Sequence, residues 1–282
     1  MLHRLTTLFL LTSMFAVAAS SDRWLEELEA QLSSYVRTGD YWSAGAAAAG
    51  IANEARSRCA SGPAPQIASV QTSVPEPALE QRMGSIHDAA VAGDWAEVGR
   101  QAVALQRDLL VLDAQQPVPV RLAALAATVE AKSRAGGKAG SVELRHLSEL
   151  ALASSRFGEA VVYAEKSIAA TLSIPNDLLR VDTIMRAWTL IGVARLRQGD
   201  TPGAIEALHR SVANPEDPVG HGIGPSMRLA KELLSQGERP EVAQYVSQCA
   251  ARHWNIGGES LQAWQAEIAK GGTPNFGVNG TF

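Results

Sequence analysis

Four short strings recur along this chain: Gly39-Asp40-Tyr41-Trp42-Ser43-Ala44, Gly93-Asp94-Trp95-Ala96-Glu97-Val98, Ser155-Arg156-Phe157-Gly158-Glu159-Ala160 and Gly199-Asp200-Thr201-Pro202-Gly203-Ala204. Each lies between segments whose apolar residues fall at three- and four-residue spacing, the period of a helix face. Each therefore reads as the turn of a helical hairpin. A hairpin cannot bury its apolar stripe alone, so a recurring one must stack on its neighbours. The expected fold is all-α, a helical-hairpin repeat array. Composition agrees: aromatic residues make up 5% of the chain, and β-branched residues are not clustered, which favours helix over sheet.

The most complete repeat runs from about Asp182 to Pro215, with Trp188-x2-Ile191-Gly192, then Ala204-x3-Leu208, then Pro215. Gly192 and Ala204 are small enough for the two helices of a hairpin to cross closely, and Trp188, Ile191 and Leu208 supply apolar bodies around that crossing. Gly199 suits a left-handed helix end, and Asp200 suits the cap of the next helix. This string resembles the tetratricopeptide repeat, whose signature is W-x2-L-G-x2-Y, A-x3-F and P. The resemblance implies a right-handed solenoid in which the first helix of each hairpin lines a concave, partner-binding face. Arg195 stands where the family prefers Tyr. A fifth hairpin spans Pro225 to Arg252 and turns at Gly237-Glu238-Arg239-Pro240. Successive turns lie 54, 62, 44 and 38 residues apart, against a family period of 34 residues, so the repeats are degenerate and separated by inserts.

Between and around the hairpins the chain divides as follows. Residues 1–20 read as a signal peptide, 22–58 as an N-terminal helical hairpin and 59–78 as a Pro-rich linker carrying Pro63, Pro65, Pro75 and Pro77. The repeats occupy 79–254, a capping helix 255–270 and an irregular tail 271–282. Within the repeats, Val120 to Arg134 reads as an unpaired helix ending at Gly136-Gly137. The segment from Gly224-Pro225-Ser226-Met227 to Pro274-Asn275-Phe276-Gly277 is similar to the tails of secreted bacterial proteins of this repeat type.

The ends and the charge bound the compartment and the partners. His3 and Arg4 precede an apolar run from Leu5 to Val17, and Ala16-Val17-Ala18 and Ala18-Ala19-Ser20 fit a signal peptidase site. The run is short against the roughly 20 residues of a membrane span. The mature chain is expected in the periplasm or outside a bacterial cell, with no membrane span. A formal net charge of −4, with both signs intermixed, leaves no nucleic-acid footprint. Cys59 and Cys249 are the only cysteines. They are free to pair in an oxidising compartment, but Cys249 lies in a helical segment and suits a small buried residue.

No catalytic, metal or cofactor constellation is expected. The histidines share no ligand spacing, and no nucleophile elbow or paired acidic motif occurs. The string Gly220-His221-Gly222-Ile223-Gly224-Pro225-Ser226 is the most site-like. A glycine-rich turn before a helix can bind phosphate, but with Pro225 it reads more simply as a loop and helix start. An enzymatic or small-ligand site near it is the alternative to a non-enzymatic protein-protein interaction module. For the module, the family alignment directs Arg145, Glu149, Arg186, Val193, Arg197, Lys231 and Leu234 toward the concave groove. The basic side chains there suit a carboxylate or an acidic peptide. A secreted protein, an envelope subunit or a second copy of this chain fits as the partner.

Overall fold

A computed structural model describes residues 23–59, 76–172, 177–213, 224–251 and 258–281. The expected signal peptide and nearly all of the Pro-rich linker lie outside these residues. The described residues contain helices and no strand. The helices are α1 (Arg23–Thr38), α2 (Tyr41–Arg58), α3 (Glu76–Val91), α4 (Trp95–Gln115), α5 (Val118–Arg134) and α6 (Ser141–Ala153). They continue with α7 (Phe157–Thr171), α8 (Asp177–Arg197), α9 (Thr201–Arg210), α10 (Arg228–Ser235), α11 (Arg239–Ala251) and α12 (Gly258–Ala269).

The five hairpin turns are built alike. Gly39, Gly93, Ser155, Gly199 and Gly237 all take positive φ, between 59° and 94°. Each donates its amide three residues back, and the following amide reaches five residues back, as in Asp200 N–H to Arg195 O at 2.9 Å. These paired bonds satisfy carbonyls that a helix end leaves free. At three turns the next residue caps the following helix: Asp40, Asp94 and Asp200 accept from the amides of Ser43, Glu97 and Gly203. One recurring string thus ends one helix and starts another.

The chain forms two compact units, residues 1–117 and 118–282; the division falls inside the 79–254 segment. In the first, α1 packs on α2 and α3 on α4, but the most extensive contact is between α2 and α4. Strictly sequential stacking would have put α2 on α3. The reason lies in the side chains. The α2 face is almost all small, with Ala44, Ala48, Ile51 and Ala55 buried, and it meets Val98, Ala102, Leu105 and Leu109 of α4. A Cβ on Gly45 would touch Leu110 at 3.4 Å, so α2 and α4 approach closely. At one end Arg58 lies 4.2 Å from the Trp95 ring centre and 5.1 Å from that of Trp24, a cation between two aromatic faces. Buried Asp108 is held by Arg82 at 2.7 Å and Arg107 at 3.2 Å.

In the second unit the helices stack in chain order: α6 on α7, α7 on α8, α8 on α9, with α10 against α8, α9 and α11, and α12 on α11. The helix expected at Val120 to Arg134 is α5, which packs on α6 through buried Leu122 and Leu125. Buried Ser148 and Ser167 tie α6 to α7 by donating to the carbonyls of Ala160 and Ser141, each at 2.7 Å.

Ile191, Gly192, Ala204 and Leu208 are buried as the repeat pattern requires. Trp188 is not a core residue: it is half-buried beneath the Arg210 guanidinium, 5.0 Å from the ring centre. Gly192 is small for an additional reason. A Cβ there would stand 2.1 Å from Leu229 of α10 and 3.2 Å from Ala207 of α9, so the residue serves the next hairpin as well as its own. Arg195, in the place of the family Tyr, crosses to α9 and donates to the Gly203 carbonyl at 3.3 Å.

The tail has no regular element over 272–276 but is packed against the helices before it. After α12, whose Leu261, Trp264 and Ile268 are buried, Phe276 packs edge-on against Trp264 at 5.2 Å between ring centres. A 3-10 turn at Gly277–Gly280 then docks on α10. Met227 N–H donates to Asn279 O at 2.7 Å, and Asn279 Nδ2 donates to Pro225 O at 3.0 Å. The last residues therefore return to the start of the fifth hairpin.

Candidate functional site

The helices α6, α8 and α10 open three successive hairpins, and they contact one another in series. Two clefts open along them, each of about 280 Å³. The first is lined by Glu149 of α6, Arg186, Thr189 and Leu190 of α8, Arg228 of α10 and Thr281 of the tail. The second is lined by Arg228, Lys231, Glu232 and Ser235 of α10 with Gly280 and Thr281. Arg228 and Thr281 belong to both, so the clefts adjoin at the point where the tail crosses α10.

Within the first cleft, charge is largely compensated. Arg145 donates to Glu149 one turn along α6, and His146 Nδ1 stands 3.1 Å from the other carboxylate oxygen. Burial by itself would raise the Glu149 pKa, but the His146 hydrogen bond and the Arg145 charge outweigh it and hold the carboxyl below its usual range. Arg186 Nε lies 2.9 Å from both oxygens of Asp182. At the far end Arg197 of α8 reaches Glu232 of α10 at 3.2 Å.

The structure thus brings Glu149 and Arg186 to one cleft and Lys231 to the adjoining one. It places Arg145 and Arg197 beside them as the partners of Glu149 and Glu232. Two of the residues directed to the groove are elsewhere: Val193 and Leu234 are buried in the packing between helices. Those two positions face neighbouring helices rather than a cleft. Two lining elements were not anticipated. Arg228 stands three residues before Lys231, hence on the same helix face, and that spacing was readable. The crossing of Gly280 and Thr281 had no local signal.

Other sequence candidates take structural roles. Gly220 to Ile223, with His221, and also His253, lie outside the described residues. Gly224 has φ of 93°, and Ser226 is buried with its carbonyl accepting from Tyr245 Oη at 2.8 Å. Burial pushes the Tyr245 hydroxyl well above its ordinary pKa. Helix α10 begins at Arg228 rather than at Pro225. His209 is partly buried, with Gln248 and Glu241 each 3.1 Å from its ring nitrogens, and it links α9 to α11. Cys59 and Cys249 are free thiols, and Cys249 is buried. Among the described residues no group of His, Cys, Asp and Glu is placed to hold a metal ion, and no helix is long and apolar enough to cross a membrane.

No protein-family model, no curated protein and no solved structure matches this chain.

Proposed function

We propose that this chain is a non-enzymatic interaction module of the bacterial cell envelope, exported and working through the face formed by α6, α8 and α10. The observation that carries the reading is the pair of adjoining clefts along the first helices of successive hairpins. Repeat stacking generates such a surface without any closed pocket, and it suits an extended protein segment. The chain-order stacking from α6 to α9, with Gly192 and Ala204 at the close crossings, supports a degenerate array of the tetratricopeptide kind. The basic start, short apolar run and small residues near Ala18 support export.

Crosslinking of the native envelope followed by capture of this protein tests the reading. A discrete protein partner is expected, and it should be lost from the Arg186→Glu, Lys231→Glu variant while that variant stays folded. Recovery of the same partner by the folded double variant would rule out this face. Retention of Met1 on a cytosolic product would rule out export.

A further inference from the structure

The basic side chains around the clefts are not equivalent. Arg145, Arg186 and Arg197 are each committed to a carboxylate of this chain: Glu149, Asp182 and Glu232 respectively. Arg228 and Lys231 make no ion pair with any other described residue, although both line the second cleft and Arg228 lines the first as well. Of these five cations, among the described residues, three are paired and two are not, in a chain of formal net charge −4. The unpaired two share one turn of α10.

That turn is also held in place. The Leu229 side chain beside Arg228 fills the space over Gly192, and Met227 and Pro225 are tied to Asn279 of the tail. Gly280 of the tail lies beside the Lys231 stem, close enough that a Cβ on it would be in ordinary contact at 4.0 Å. The tail thus forms one wall of the groove beside the two cations.

We propose that Arg228 and Lys231 are the anion-reading pair of this protein, binding side-chain carboxylates of an acidic, extended peptide segment laid along α10 toward α6. The proposal rests on the interaction-module reading and names the chemistry of its partner. A planar guanidinium and a lysine ammonium three residues apart can each take a separate carboxylate. The two adjoining clefts extend the contact beyond a single anion. Glu149, ionised and already paired with Arg145 and His146, sets the limit of the acidic register at the α6 end.

The probe is a fluorescein-labelled, end-capped octapeptide of alternating Glu and Gly, titrated with the full chain at low ionic strength and followed by anisotropy. Saturable binding is expected, weakening as salt rises. Loss of two charge-assisted contacts in Arg228→Gln, Lys231→Gln should weaken it by roughly tenfold or more. Arg228→Lys, Lys231→Arg should retain binding, and Arg156→Gln, which removes an exposed arginine at the turn before α7, should leave it unchanged. Single Lys231→Gln, at an exposed position, gives the same readout should the double variant be unstable. The proposal is overturned by absence of binding, by equal binding of the double variant, or by an equal loss in Arg156→Gln. Displacement by free glutarate as effective as by unlabelled peptide would likewise overturn it, because the site would then read a lone carboxylate. An envelope partner captured independently of Arg228 would sink this inference and leave the module reading standing.

Discussion

At the scale of single residues, Ser155 departs from its counterparts. It occupies the left-handed position with φ of 59°, where the other four turns carry glycine. A side chain there costs about 1–2 kcal/mol, and glycine returns about 0.5–1 kcal/mol of that as unfolded-chain entropy. Ser155→Gly should therefore raise stability by about 0.5–1 kcal/mol, read as a higher urea midpoint with an unchanged slope. Glu149 makes the other residue-scale prediction. Its carboxyl is held below the unfolded value of about 4.3 by His146 and Arg145 against the effect of burial. A depressed folded pKa adds stability that is complete above the unfolded value and lost as pH falls through the folded one. Glu149→Gln should destabilise the protein at pH 7, and the difference from the unaltered chain should shrink steadily below about pH 4.3. A difference that persisted undiminished to pH 2 would refute the assignment.

At the scale of elements, the turns and the crossing at Gly192 can be tested separately. Asp94 and Asp200 each accept from an amide of the helix they start, so Asp94→Ala or Asp200→Ala should cost about 1 kcal/mol in denaturant unfolding. Gly192→Val meets the Leu229 side chain and the Ala207 methyl. Overpacking of this kind costs about 1–3 kcal/mol. If Gly192→Val were as stable as the native chain, α8 would not approach α10 as described. The turns were legible because their signal is local: a left-handed residue followed by a cap is written in adjacent positions. The α2–α4 contact was not. The alanine richness of α2 announces a close approach, but nothing in it says which helix approaches.

At the scale of the whole molecule, each of the two compact units has a buried core of its own. Leu32, Ile51, Leu105 and Leu109 belong to the first, and Leu147, Ile191, Leu233 and Val246 to the second. Fragments 23–117 and 118–282, made separately, are each expected to show helical circular dichroism and cooperative thermal unfolding. A fragment that remained unfolded would show that its helices need the other unit.

The sequence by itself determined that the chain is helical and where its hairpins turn. Those properties depend on residues at most a few positions apart. Helix period, the left-handed residue and the aspartate cap act through a single turn of backbone. Tertiary structure alone decided the pairing of α2 with α4, the burial of Val193 and Leu234, and the return of the tail to α10. It also decided which cations are already matched. Arg186 and Lys231 look alike as letters, but only folding places Asp182 against the first and leaves the second facing a cleft beside Thr281. A charge is made available or spent by neighbours distant in sequence, and those are set by the packing of helices.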